Sequence, residues 1–260
     1  MTQTTRIKTG IPHFDEMVGG GFLRGSANLV EGAPGTGKTT LAMQFIYNGI
    51  VQDNEPGVII TFEEFPQQYY HDALQFGWDL KKLEQEGKLR VIFTDPETAL
   101  RELSDMDGEF VKMIEEIGAQ RVIVDSMTHF ETMADTTNGL RELERVFINS
   151  LKREGVTSIL LRENDSLLGQ LQQVGSKISF VVDTYILLRY VEVDSSIQKA
   201  MTVLKMRGSD HQKDIMRYHC TSQGLEVMTS FAGREGIMSG ISHNTPQEAF
   251  TDVFGRKKKK

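Results

Sequence analysis

The sequence predicts an α/β fold: a mostly parallel central sheet flanked by helices, with an antiparallel β extension on its C-terminal side. Three observations predict it. Short apolar runs alternate with segments of helical periodicity as far as residue 161. After residue 178 the pattern changes to β-rich runs divided by tight turns. Near the start, a strand-like run passes through a glycine-rich turn straight into a helix-like one.

In chain order, residues 27–31 read as a strand that stops where the glycines begin. Leu41, Ala42, Phe45, Ile46 and Gly49 then recur at helical spacing, which predicts a helix over 38–51. Further strands are expected at 57–62, 89–93, 121–125 and 156–161, with helices at 66–76, 97–103, 109–117 and 138–153 between them. The segment 109–117 places Phe110, Met113, Ile114 and Ile117 on one face. A short helix is expected over 79–87, and Trp78 before it as a core residue. Then come β-rich runs at 181–193 and 200–206 around Asp194-Ser195-Ser196, and at 215–220 and 225–228 around Ser222-Gln223-Gly224. From residue 231, Gly, Ser, Asn and Pro accumulate and periodicity ends. The expectation is one domain over 1–230 and a flexible tail over 231–260.

Composition narrows the function classes. At 260 residues, 39% hydrophobic and 25% charged, the chain reads as a globular protein able to bury one large core. There is no apolar run of membrane-spanning length, and the polar start does not read as a signal peptide. The single cysteine, Cys220, rules out an intrachain disulfide and fits a reducing, cytoplasmic setting; it reads as an ordinary strand residue. The five basic residues at 256–260 leave the body before them more acidic than the total of −7. An acidic body argues against dominant non-specific affinity for nucleic acid, and the basic end reads as solvated.

The chemistry starts at Gly32-Ala33-Pro34-Gly35-Thr36-Gly37-Lys38-Thr39-Thr40, a full match to the phosphate-loop pattern G-x-x-x-x-G-K-[ST]. The glycines let successive backbone N–H groups turn into one concavity, which suits phosphate oxygens. Lys38 brings a mobile positive charge to the β/γ-phosphates, and the Thr39 hydroxyl can sit on Mg²⁺. The helix that follows adds the positive end of its dipole. The flanking strand and helix are the context this motif requires, so the chain is expected to bind a nucleoside triphosphate.

Three other segments complete the pattern. Arg121-Val-Ile-Val-Asp125-Ser126 is an apolar strand ending in a carboxylate, placed to orient Mg²⁺ through its water shell. Val58-Ile-Ile-Thr-Phe-Glu63-Glu64 ends in two adjacent carboxylates, of which only one can face a γ-phosphate. Such a carboxylate orients or deprotonates the attacking group; the alternative is helix N-terminal charge ahead of Pro66. Lys205 and Arg207 stand two apart at the end of the β extension, and spacing alone favours a solvated edge. Glu163-Asn164, after the strand at 156–161, is open between sensing the γ-phosphate and an ordinary loop role. The remaining histidines show no metal-ligand spacing.

Together these motifs resemble the KaiC-like branch of the RecA-type ATPases over residues 7–230. The resemblance rests also on Thr9-Gly-Ile-Pro-His-Phe-Asp-Glu16, Gly19-Gly20-Gly21, Arg24-Gly25-Ser26, Asp183-Thr-Tyr-Ile-Leu-Leu188 and Lys205-Met206-Arg207-Gly-Ser-Asp-His211. It implies a RecA-like core that binds ATP and Mg²⁺, between subunits of a homohexameric ring. It assigns Glu63 and Glu64 to the catalytic glutamate pair and Asp125 to the Mg²⁺ side. Lys205, Met206, Arg207 and His211 would serve the neighbouring subunit's nucleotide, with Arg207 in an arginine-finger-like role. The family's double-domain clock protein has two such domains, so one tier is expected here. Its second domain carries an adjacent Ser-Thr phosphorylation pair where this chain reads Ser179-Phe180; Phe180 removes one site and leaves Ser179 as the candidate. The implied function is an ATPase that couples nucleotide state to a signalling partner, with autokinase activity as a further expectation. A DNA-dependent ATPase is the alternative.

Overall fold

The architecture is that of a computed structural model describing residues 5–164, 180–231, 234–236 and 243–244. Ser179 and the basic end at 256–260 lie outside the described residues. Two short strands, β1 (Arg6–Ile7) and β2 (Phe22–Leu23), pair with each other across the one-turn helix α1 (Phe14–Met17). Then follow β3 (Ala27–Gly32), α2 (Lys38–Asp53), β4 (Gly57–Thr61), α3 (Pro66–Leu74), α4 (Leu80–Gln85) and β5 (Leu89–Phe93). The chain continues through α5 (Pro96–Ser104), α6 (Glu109–Ile117), β6 (Arg121–Asp125), a 3-10 turn (Met127–Met133), α7 (Thr137–Arg153) and β7 (Thr157–Glu163). Four strands follow, β8 (Thr184–Val193), β9 (Ser196–Met206), β10 (Met216–Thr221) and β11 (Gly224–Ser230), and beyond them Arg234–Glu235 pairs antiparallel with His243–Asn244.

Nine of these strands form one sheet in the order β11-β10-β9-β8-β3-β7-β6-β4-β5. The six from β8 to β5 are mutually parallel, and β9, β10 and β11 add on antiparallel. The expected mixed sheet is therefore present. Its central strands are buried on both faces, which is why β4 and β6 read as unbroken apolar runs rather than alternating ones. One face is covered by α2 with the N-terminal segment and α3, and Trp78 is buried there between the rings of Phe76 and Tyr47. The other face is covered by α5, α6 and α7.

Helix starts follow local chemistry. Asp79, Asp95 and Thr136 each accept a backbone N–H from three residues on, and Pro66 and Pro96 occupy first-turn positions that lack an intrahelical N–H partner. Some details differ from expectation, among them the strand expected from residue 200, which already begins at Ser196. In α6 the buried residues are Phe110, Val111 and Ile114, with Met113 and Ile117 half-buried on the flank. The strand expected from residue 181 begins at Thr184. Just before it, Asp183 N donates to Ala27 O, its carbonyl accepts Arg207 N, and its carboxylate accepts hydrogen bonds from Ala27 N and Lys152. Among the described residues, no helix is long and apolar enough to cross a membrane.

The parallel order decides where a site can form. The C-terminal ends of β3, β4, β6 and β7 (Gly32, Thr61, Asp125 and Glu163) all reach the same edge of the domain. Crevices at that edge are the usual ligand sites of open α/β sheets.

Candidate functional site

β3 delivers the chain into the glycine-rich loop, and α2 leaves it. Gly35 and Gly37 take φ of 74° and 102°, left-handed values that a side chain would resist. Gly32 has a different reason: a Cβ there would meet the Leu188 carbonyl and Thr36 Oγ1, both at 2.8 Å. The loop is braced from below, where Thr36 Oγ1 donates to Ala33 O at 2.7 Å and Tyr218 OH donates to Thr36 O at 2.6 Å.

Around this loop lies a cavity of about 370 Å³ lined by Pro34, Gly35, Gly37, Lys38, Thr39 and Thr40 on one side. Thr61, Glu63, Glu64, Tyr69, Asp125 and Glu163 line the other side, with Lys199 and Cys220 at the rim. Lys38 is only 7% exposed; its Nζ donates to Ala33 O at 3.2 Å and lies 3.6 Å from Glu163 Oε1. Burial lowers the Lys38 pKa, and the Glu163 and Asp125 carboxylates oppose that shift. Thr39 Oγ1 donates to Asp125 Oδ2 at 2.9 Å, and the Tyr69 phenol donates to the same oxygen at 2.6 Å. Burial raises the Asp125 pKa, against the lowering effect of those two hydrogen bonds. Burial and the neighbouring Asp125 charge also raise the Glu64 pKa.

Glu63 and Glu64 diverge, as adjacent residues leaving a strand should. Glu63 Oε2 stands 3.6 Å from His129 Nε2 on the 3-10 turn. The Glu64 backbone is pinned by Thr61, whose hydroxyl accepts Glu64 N and donates to Glu64 O, each at 3.1 Å. Glu163 belongs to the cleft, while Asn164 turns beneath the loop, its Nδ2 donating to the buried Glu31 at 2.9 Å. The metal-side chemistry is consistent with a hard cation: a hydroxyl and a carboxylate share one hydrogen bond, with oxygen ligands only.

The structure thus brings together Lys38, Thr39, Glu63, Glu64 and Asp125 with the loop residues. It does not bring Lys205, Met206, Arg207 or His211 to them. Met206 pairs with Thr184, which pairs with Asn28 at the start of β3, whereas Gly32 at the loop pairs with Leu188. At about 3.3 Å per residue, these groups lie roughly 13 Å or more along the sheet from the loop. There, Lys205 Nζ donates to Val182 O at 2.7 Å, and Arg207 Nη2 donates to Phe180 O at 3.1 Å. Burial, then the Arg207 charge, lowers the Lys205 pKa. The Gly19-Gly20-Gly21 turn packs on this segment, since a Cβ at Gly19 would come 3.1 Å from Asp210 O.

Three cleft residues, and His129 beside Glu63, were not legible in the sequence. Tyr69 and Ala73 share a buried face of α3, an i, i+4 spacing that signals packing but not a hydroxyl reaching Asp125. Lys199 crosses from β9 to donate to Gly35 O at 2.9 Å, and Cys220 lies against Gly37. His129 sits on a turn whose Met127, Phe130 and Met133 recur every third residue, the period of a 3-10 helix.

Comparison with known proteins agrees with this geometry. Residues 7–231 match the family described as ATPase: KaiC. The chain is 34% identical over 253 residues to the circadian clock protein KaiC3 of Synechocystis sp., covering 96% of this chain and 49% of that one. It is 35% identical over 239 residues to the circadian clock oscillator protein KaiC of Thermostichus vulcanus, covering 92% and 45%. Against the KaiC of Synechococcus elongatus the identity is 35% over 229 residues, covering 85% and 44%. The chain spans about half the length of the curated relatives it matches.

Proposed function

The chain belongs to the KaiC ATPase family, and from that premise we propose that it hydrolyses ATP at sites shared between neighbouring copies of itself. What carries this reading is the division within one chain. The loop, the hydroxyl–carboxylate pair and the glutamates occupy one edge of the sheet, and Lys205, Arg207 and His211 the other. A ring of like subunits, six by family expectation, closes such a heterologous arrangement by setting one edge against the next subunit's opposite edge.

In this reading the backbone of residues 33–39 cradles the phosphates, and Lys38 neutralises charge at the β/γ position. Mg²⁺, when bound with the nucleotide, would be held by Thr39 and Asp125 and would offset phosphate charge. Glu63 or Glu64 orients the attacking water. Burial and the neighbouring Asp125 charge raise the Glu64 pKa, which favours its holding a proton, and Glu63 stands 3.6 Å from His129. Arg207 and Lys205 of the adjacent copy supply the positive charge needed as the γ-phosphoryl group leaves. Such a finger supplied in trans is worth roughly 10³–10⁵-fold in turnover. Nucleotide state would then set subunit contacts and so be readable by a signalling partner; autophosphorylation at Ser179 is a further activity to test by mass spectrometry after incubation with Mg·ATP.

The direct experiment compares three proteins for ATP binding and turnover. Lys38→Ala loses both. Arg207→Ala keeps binding and loses turnover by about 10³-fold or more. Wild-type turnover in the Arg207 variant refutes the shared-site reading.

A further inference from the structure

Tyr69 is a buried phenol for which the proposed hydrolysis has no use as yet. Its ring is 1% exposed and packs in the core beneath α3, with Ala73 on the same face. A phenol so placed needs a partner for its hydroxyl, and it finds one at 2.6 Å in Asp125 Oδ2 rather than in any backbone carbonyl. That oxygen already accepts the Thr39 hydroxyl at 2.9 Å. Two donors therefore converge on one carboxylate oxygen, and neither engages Oδ1.

The consequences follow from hydrogen-bonding capacity. A threonine hydroxyl has one proton to give and two lone pairs to offer. Committing the proton to Asp125 Oδ2 leaves the Thr39 lone pairs for a cation. The terminal torsion of an aspartate is broad, with no steep staggered wells, so the orientation of its carboxylate is set by the hydrogen bonds it accepts. One donor leaves a carboxylate free to rock about that contact; two donors from different elements, α2 and α3, fix its plane.

We propose that Tyr69 is a positioning residue for the cation site: its phenol locks the Asp125 carboxylate so that Oδ2 holds the Thr39 proton and Oδ1 serves the water shell of Mg²⁺. This rests on the functional reading above, and it names a part of the site beyond the phosphate-loop and strand-end motifs. It also gives α3 a role. The segment carrying Glu63 and Glu64 runs directly into α3, so one hydroxyl ties the catalytic glutamates' segment to the cation-side carboxylate.

A purely structural Tyr69, satisfied by a convenient carboxylate, predicts a different result, and Tyr69→Phe separates the two. The substitution keeps the ring and its packing and removes only the hydroxyl. Mn²⁺ serves as the probe, titrated by electron paramagnetic resonance into the full chain with saturating ADP, beside metal-free binding of a fluorescent ADP analogue and the thermal midpoint. The expected result is Mn²⁺ affinity weakened about 10–100-fold, the usual range for loss of an outer hydrogen bond to a metal site. Metal-free ADP binding is expected to stay at the wild-type value. Wild-type Mn²⁺ affinity in Tyr69→Phe overturns the proposal, whatever happens to the thermal midpoint.

A double-mutant cycle with Asp125→Asn guards against a general effect of the substitution. If Tyr69 acts through Asp125, its removal costs no further metal affinity once Asp125 is Asn; additive losses overturn the proposal. A wild-type chain that binds no Mn²⁺ with ADP overturns the functional reading itself, and the proposal with it.

Discussion

Arg121→Met is the sharpest test of how this fold holds its site. Arg121 is fully buried at the start of β6, the strand that ends in Asp125. Its guanidinium bonds Glu55 twice, at 2.6 and 2.8 Å, Asp53 at 3.0 Å and the Phe45 carbonyl of α2 at 2.7 Å, and lies 4.6 Å from the Phe45 ring centre. It thereby ties the helix that carries Lys38 and Thr39 to the strand that carries Asp125. Methionine fills the volume but strands the Glu55 carboxylate, which is only 10% exposed, and removes the second donor to the Phe45 carbonyl. Breaking a buried ionic network from one side costs about 3–5 kcal/mol. Arg24 still pairs with Glu55 at 2.7 Å, and Asp53 is 44% exposed, so the lower end applies. At roughly 2–4 °C per kcal/mol for a domain of this size, about 3 kcal/mol lowers the thermal midpoint by about 6–12 °C. Circular dichroism melts without nucleotide measure it, and adding Glu55→Leu should recover much of the loss because the stranded charge is then gone. A single-variant shift below about 2 °C refutes the view of Arg121 as the clasp between α2 and β6.

Other expectations follow from the same contacts. Gly49→Ala should destabilise the protein about as much as Arg121→Met, because a Cβ there falls 2.0 Å from Arg121 Nε; a melt at the wild-type midpoint contradicts it. Asp125→Asn should abolish metal-dependent turnover yet raise the nucleotide-free thermal midpoint at neutral pH. Folding raises the Asp125 pKa above its ordinary 3.8, so the cost of ionising it is fully present above the raised value and gone below the ordinary one. The advantage of the Asn variant should therefore shrink as pH falls through that window, and an advantage independent of pH counts against the assignment. Glu163→Gln removes the largest influence opposing the lowered Lys38 pKa, so the alkaline loss of ATP binding should move to lower pH; an unmoved limb in a pH titration shows that the pair is not coupled.

Much of this arrangement is legible in the sequence, for physical reasons. Parallel strands buried on both faces must be continuous apolar runs, so β4 and β6 stand out and the carboxylate ending β6 is located with them. The phosphate loop is local: its glycines, lysine and threonine act within one turn of chain. What was not legible is what depends on distant partners. Tyr69 reaches Asp125 across 56 positions, and Arg121 reaches Glu55 across 66, and no local period encodes either. Lys205 and Arg207 read from spacing as a strand edge, and within one chain they do lie far from the loop. Assigning them to a neighbour's nucleotide needs the family resemblance and the registers of β3, β8 and β9 together. Lys199 escaped notice because its role depends on β9 folding back beside β8 until it reaches Gly35.

The central claim, that each nucleotide site is built from two copies of the chain, is tested most directly by mixing two inactive variants. Lys38→Ala has no working loop but keeps Arg207; Arg207→Ala keeps the loop but has no finger. Co-expressed and purified as mixed assemblies, with composition checked by native mass spectrometry, they should regain ATP hydrolysis wherever an intact loop meets an intact Arg207. Random equal mixing in a closed ring makes that roughly one interface in four, hence roughly a quarter of wild-type turnover. Mixed assemblies that hydrolyse ATP no faster than the two parents would contradict the shared site.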